Sequence, residues 1–171
     1  MYGDYLLEKS YRVLLLDELE EYEEVIDGLS RFIEAHPSAP VAYNNRGVAY
    51  WETGQVQNAL EDFQRAMSCA DDDPIPYVNR GQLFDKLGDV PKAIDDFGRA
   101  IAIRADDPTF HRCRAYAYLK LGRLAEAAED FSAAIRLDPT FKQTYVARGQ
   151  VYKQLGEAEK AAADYETASR L

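Results

Sequence analysis

Apolar residues along this chain follow the three-and-four spacing of a helix, and the pattern recurs at a constant interval. Tyr43, Gly47 and Tyr50 lie four and three positions apart, so they share one face of a helix that we expect over about Pro40 to Glu52. The stretch YNNRGVAYWETG returns as YVNRGQLFDKLG, HRCRAYAYLKLG and YVARGQVYKQLG. Its small residue falls at Gly47, Gly81, Ala115 and Gly149. Each repeat therefore begins with an amphipathic helix.

A second helix is predicted in every repeat. Ala59, Phe63 and Ala66 again lie four and three positions apart, and this small–large–small order recurs at the same period. An aromatic ring on one helix fits the gap that small residues leave on its neighbour. Gly54 stands between the two helices, where a left-handed C-terminal cap favours glycine. The same place is taken later by Gly88, Gly122 and Gly156.

Acidic residues mark two of the helix starts. Asp73 precedes Pro74, and Asp107 precedes Pro108. An aspartate can accept a hydrogen bond as N-cap, and proline suits the first helical position. We therefore expect both aspartates to cap first helices.

The repeated helix pair points to a stacked array. Two helices of this length cannot bury an apolar face alone, whereas stacked pairs share a continuous core. The 34-residue period, with aromatic–small–aromatic positions followed by A-x3-F-x2-A, resembles the tetratricopeptide repeat. The resemblance implies an all-α fold, an α-solenoid of about five antiparallel helix pairs in a right-handed superhelix. We expect a single array over residues 1–171, with units 6–39 (degenerate), 40–73, 74–107, 108–141 and 142–171 (truncated).

An arginine recurs in the first helix of each unit, and in the last four units an aspartate follows it at a fixed distance in the second helix. The pairs are Arg46 with Asp62, Arg80 with Asp96, Arg114 with Asp130, and Arg148 with Asp164. A repeated arginine could clamp a ligand. A feature present in every unit more often serves the repeat itself, and we expect an ion pair that ties the two helices together.

The resemblance also implies a concave groove lined by the first helices. In a helix, residues one step from the packed face point about 100° away from it. The residues expected to bind a partner there combine amide, aromatic and charged side chains: Asn44, Asn45, Trp51, Asn79, Gln82, Arg112 and Tyr116. Amides can pair with the backbone of an extended peptide, and exposed aromatic rings can anchor a side chain. The chain is therefore expected to be a protein-interaction module or adaptor that holds a partner's segment.

Charge leaves two other hypotheses open. The net charge is −10, and residues 1–39 carry ten acids against three bases, with the acids concentrated in Asp17 to Glu24. These residues could dock a basic partner, which would make the protein an acidic inhibitor or a dedicated chaperone. Alternatively, the last helix pair could stack on another copy, giving a self-assembling scaffold. An acidic chain is a poor match for nucleic acid.

Catalytic and membrane functions find no support in the sequence. No apolar run reaches the roughly 20 residues of a membrane span, and the start of the chain lacks the features of a signal peptide. His111 takes a tyrosine position of other units, and its spacing from Cys113 does not suit a metal site. We therefore expect a cytoplasmic protein that is not an enzyme and has no cofactor or metal.

Overall fold

The computed structural model describes residues 19–171, and its regular structure in that range is entirely α-helical. The nine helices of this range are α1 (Leu19–Ala35), α2 (Pro40–Glu52), α3 (Val56–Cys69), α4 (Ile75–Leu87), α5 (Val90–Ile103), α6 (Pro108–Lys120), α7 (Leu124–Leu137), α8 (Lys142–Gln154) and α9 (Ala158–Arg170). The predicted all-α class is confirmed, and α2 has the bounds that the sequence suggested. The predicted first helix of unit 6–39 lies outside the described residues.

The chain divides into two compact units between Arg80 and Gly81, inside α4. In the unit that ends at Arg80, α2 packs on both α1 and α3. Its core joins the apolar face of α1 to small residues of α2: Tyr22, Val25, Ile26, Leu29, Ile33, Ala42 and Ala49. Short alanines let α2 approach the branched side chains of α1 closely.

In the unit that begins at Gly81, each helix from α5 to α9 packs on the next along the chain. One core cluster joins α6, α7 and α8 through Ala115, Ala127, Ala128, Phe131, Ala147 and Val151. The ring of Phe131 is completely buried. The predicted arrangement, in which an aromatic ring of a second helix fills the space left by small residues, is confirmed.

Two glycines show how close this packing is. A Cβ added to Gly47 would lie 2.9 Å from the Phe63 ring, and one added to Gly149 would lie 2.8 Å from the Tyr165 ring. A real side-chain carbon does not come so close without displacing its neighbour. The glycine between the helices has a different role, since Gly54, Gly88, Gly122 and Gly156 have φ between 68° and 85°. The predicted left-handed caps are thus confirmed.

The predicted aspartate caps are present. Asp107 Oδ1 accepts a hydrogen bond from the backbone N–H of Thr109 at 2.8 Å. Asp73 Oδ1 accepts one from Ile75 N at 2.9 Å, although α4 begins at Ile75 rather than at Pro74. None of the helices in residues 19–171 has the length and apolar character needed to cross a bilayer.

Candidate partner-binding face

The repeated arginines form ion pairs inside their own helix pairs. Arg46 donates from Nε and Nη2 to the two carboxylate oxygens of Asp62, at 2.7 and 2.8 Å. Arg114 bonds Asp130 in the same fork at 2.7 and 2.8 Å, and Arg148 bonds Asp164 at 2.9 and 2.7 Å. These aspartates are buried. A two-point fork fixes the angle between helices as well as their distance, so the predicted structural tie is confirmed in these three pairs.

The ion pairs have the expected electrostatic effect. The hydrogen bond to Asp62 raises the pKa of Arg46, although burial acts in the opposite direction. Burial alone would raise the pKa of Asp130, but hydrogen bonds from Arg114 and His111 outweigh it, and the pKa of this carboxyl lies below its ordinary value. These arginines are committed to their aspartates, which makes them poor candidates for ligand clamps.

His111 belongs to this structural network. Its Nδ1 lies 3.0 Å from Asp130 Oδ1, an oxygen that Arg114 also bonds. In the equivalent position of other units Tyr43 and Tyr145 bond backbone carbonyls through their hydroxyls. The histidine therefore packs as a substitute for tyrosine, as the sequence suggested.

The predicted partner-binding residues lie on first helices in both compact units, and we call the side of the first helices that carries them in each unit its first-helix face. In the unit that ends at Arg80 this face carries Asn44, Asn45, Trp51 and Asn79. Asn44 is 8% exposed; its Oδ1 accepts a hydrogen bond from Asn79 Nδ2 at 2.8 Å, and its Nδ2 donates to Asn45 Oδ1 at 3.2 Å. The three amides thus form a chain across α2 and α4. Asn44 positions its neighbours, while Asn45, Trp51 and Asn79 are half-buried.

In the unit that begins at Gly81 the same face carries Gln82, Arg112 and Tyr116. The guanidinium carbon of Arg112 lies 4.4 Å from the centre of the Phe141 ring, and Nη2 donates to Thr109 Oγ1 at 3.0 Å. Arg112 is therefore held by the loop between α7 and α8. Gln82 is half-buried, with its Nε2 4.0 Å from the Cys113 sulfur.

Tyr116 is the most accessible of the predicted residues in this unit. It is 46% exposed, and its ring makes a T-shaped contact with Phe131, with 5.1 Å between the ring centres. One turn further on, Lys120 Nζ forms an ion pair with Asp85 Oδ2 at 2.7 Å, which links α6 to α4. The result is a partly exposed aromatic ring that contacts the core, beside a polar bridge.

Sequence reasoning did not identify a second set of polar contacts that the repeated arginines make. Arginines of first helices also donate from Nη1 to a side chain on the preceding second helix. Arg46 bonds Ser30 Oγ at 2.9 Å, and Arg148 bonds Ser132 Oγ at 2.9 Å. The signal was available, because each serine precedes its arginine by the same distance along the chain at which the aspartate follows it.

Metal and thiol chemistry find little support in the structure. In residues 19–171 no group of three or more His, Cys, Asp and Glu side chains is placed to hold a metal ion. Cys113 lies near Gln82, and burial raises the pKa of its thiol. A raised pKa reduces the thiolate fraction and with it the nucleophilicity of the sulfur.

Comparison with known proteins agrees with the repeat. Models of the tetratricopeptide repeat match residues 40–73, 78–140 and 142–171. A crystal structure of MamA aligns with a TM-score of 0.81 at 20% identity, covering 88% of each chain. MamA from residue 41 to its end, from Desulfovibrio magneticus RS-1, aligns with a TM-score of 0.81 at 18% identity, covering 99% of this chain and 94% of that one. A structure of MamA AMB-1 aligns at 0.80 and 20%, covering 99% and 89%. These likenesses confirm the helical-repeat solenoid fold.

Proposed function

We propose a role that starts from one premise: this chain belongs to the tetratricopeptide-repeat family, whose members are generally non-catalytic protein-interaction modules. In our proposal it is an adaptor that holds an extended segment of a partner protein against the first-helix face. A cytoplasmic location and the absence of catalytic activity are parts of the same proposal.

The observation that carries the proposal is the partly exposed ring of Tyr116. A tyrosine contributes a large contact area at low entropic cost, and aromatic anchors dominate many interfaces. Its contact with Phe131 holds the ring in place before any partner arrives. A ring that is already ordered loses little freedom on binding, which favours affinity.

The amides of the other unit support the same mode of binding. Asn44 holds Asn79 and Asn45 through direct hydrogen bonds, so their side chains are oriented by the fold. Oriented amides present both donors and acceptors, which is what the backbone of an extended segment requires. We propose that Asn45, Asn79 and Trp51 contact the partner, and that Asn44 acts by positioning them.

Site-specific photo-crosslinking tests this proposal. A benzophenone amino acid is placed at Tyr116, and a matched probe is placed at Glu129, an exposed residue of the second helix α7. Both proteins are illuminated in lysate of the native host, and adducts are identified by mass spectrometry. We expect one partner segment to be linked at position 116 and not at 129. The Asn79→Ala/Arg112→Ala variant carrying the probe should lose this adduct. Adducts at 129 alone, or none at 116, would contradict the proposal.

The acidic-inhibitor hypothesis stays a prediction. Asp17 and Glu18 lie outside the described residues, while Glu23 is exposed on α1. If this end binds a basic partner, raised salt should release that partner, because screening shortens the range of charge attraction. An adduct at Tyr116 that survives raised salt would instead favour the first-helix face.

A further inference from the structure

The outer face of α9 repeats, one period on, the face of α7 that α8 covers. Phe131 is completely buried, and Val151 of α8 belongs to the cluster that encloses it. Its counterpart Tyr165 packs one ring edge on Gly149 and is 38% exposed. Ala128 is buried as well, whereas its counterpart Ala162 is exposed. On α7 this face is covered by the first helix that follows, whereas the equivalent face of α9 is exposed.

A polar position on this face gives further information about what would cover it. In three of the four earlier repeats the side chain at this position bonds the arginine of the next first helix. Ser30 accepts from Arg46, Gln64 accepts from Arg80 at 2.7 Å, and Ser132 accepts from Arg148. The residue at this position is uncharged in every earlier repeat: Ser30, Gln64, Gly98 and Ser132. On α9 the same position holds a carboxylate, Glu166.

The change from a neutral acceptor to an acid has a physical meaning. The positive charge of Arg148, which donates to Ser132, is already balanced by Asp164 of its own helix pair, which bonds it at 2.7 and 2.9 Å. A neutral hydroxyl is then sufficient, and a second carboxylate would leave one excess negative charge. Glu166 therefore suits a cation that brings no carboxylate of its own. Arginines of a second copy that are paired with aspartates, as Arg46 is, do not meet this condition.

Glu166 is available for such a partner. Its present bond is to Arg170, one turn along the same helix, and both side chains are exposed. Exposed pairs of this kind contribute little to stability, so exchanging one for a cation on a docked helix costs little.

We propose that the outer face of α9, formed by Ala162, Tyr165, Glu166 and Ser169, docks a basic amphipathic helix of another protein. The helix lays small side chains against the Tyr165 ring, as α8 lays Ala147 and Val151 near Phe131, and presents an arginine or lysine to Glu166. This surface is separate from the first-helix face. The proposal does not depend on partner binding there.

A peptide that copies α8 provides the probe. The sequence KQTYVARGQVYKQ (Lys142–Gln154) has three bases and no acid. A hydrocarbon staple between Gln150 and Gln154, both exposed, holds it helical, because a free helix of this length is marginal in water. Binding of the fluorescein-labelled peptide to the full chain is followed by anisotropy. A second peptide carries Gln in place of the arginine.

We expect the wild-type chain to bind the arginine peptide, and Glu166→Gln to bind it roughly tenfold more weakly, since a charge-assisted hydrogen bond is lost. Tyr165→Ala should weaken binding by at least as much. The control Asp95→Asn removes an equal charge from an exposed site on α5 and should leave binding unchanged. The glutamine peptide should bind wild type and Glu166→Gln equally well, which would show that the two charges act on each other.

Three results would overturn the proposal. The arginine peptide could fail to bind wild type, or Glu166→Gln and Asp95→Asn could weaken binding equally, which would indicate attraction to overall charge alone. Sedimentation could also show a dimer that Tyr165→Ala dissociates, which would make a second copy the occupant of this face. Circular dichroism of each variant confirms that its helices are retained.

Discussion

Replacing Gly47 and Gly149 by alanine should have opposite effects on stability, although both glycines occupy the same position of the repeat. Each lies in the middle of a first helix, facing an aromatic ring. A Cβ on Gly47 would lie 2.9 Å from two atoms of Phe63 and 3.3 Å from the Ala59 carbonyl oxygen. The three atoms nearest to a Cβ on Gly149 would all belong to the Tyr165 ring, at 2.8 to 3.1 Å. The two sites differ in whether the ring can move.

The magnitude follows from two opposing terms. Alanine is favoured over glycine inside a helix by about 1 kcal/mol. Overpacking a closed core costs about 1–3 kcal/mol. Phe63 is completely buried, so its ring cannot move out into solvent. The net effect of Gly47→Ala should therefore be a loss of about 1 kcal/mol in the free energy of unfolding. Tyr165 is partly exposed and can rotate outward, so Gly149→Ala should keep most of the propensity gain, about 0.5–1 kcal/mol.

Thermal unfolding followed by circular dichroism measures both effects. For a chain of this size 1 kcal/mol shifts the midpoint by about 2–4 °C. We expect the midpoint to fall for Gly47→Ala and to rise for Gly149→Ala. Equal stabilisation of both variants would refute the reasoning, because it would mean that the buried ring yields as easily as the exposed one.

Three further substitutions test the polar contacts and the glycine caps. Asp130→Asn should lower the free energy of unfolding measured in urea by about 2 kcal/mol. This is less than the loss expected on breaking a fully buried ion pair, because Arg114 is partly exposed, and the control Glu129→Gln at the neighbouring position should change the free energy little. Since the folded pKa of Asp130 lies below its unfolded value of about 3.9, this stabilisation is present above that value and is lost as pH falls through the folded pKa. The stability of Asp130→Asn should therefore fall less than that of wild type on acidification below about pH 4. Asp107→Ala removes the cap of α6 and should cost about 1 kcal/mol, with exposed Asp106→Ala as its control. Gly122→Ala forces a Cβ onto a backbone with φ of 68° and should lower the unfolding midpoint by an amount equivalent to roughly 1 kcal/mol.

The features that sequence reasoning predicted correctly are those with local causes. The bounds of α2, the glycine caps and the Asp107 cap depend on residues a few positions apart. The Arg–Asp ties join two different helices, but the repeat makes each of them visible in several copies. Repetition thus converts contacts between helices into a pattern that can be read along the chain.

The candidate site was harder to predict, because its chemistry depends on contacts that do not repeat. Asn44 is buried and bonds Asn79 of the next first helix, and the equivalent positions of the other described units do not hold two amides. Arg112 stacks on Phe141, whose equivalents in other units are not aromatic. Helix geometry could say that Asn44 and Arg112 lie on the first-helix face. It could not show that Asn44 and Arg112 already bond or stack on neighbouring side chains.

The position on each second helix that faces the arginine of the next unit also affects how the array opens. Gly98 takes that position on α5, and an added Cβ there would lie 3.5 Å from Arg114 Nη1. A glycine offers no side-chain acceptor, so the junction of α5 with α6 lacks the bond that Ser132 gives to Arg148. In a linear array, coupling between neighbours decides how far an opening fluctuation spreads. Amides of α6 to α9 should therefore exchange with solvent deuterium as one cooperative block, and α5 should be able to unfold and refold while that block stays closed.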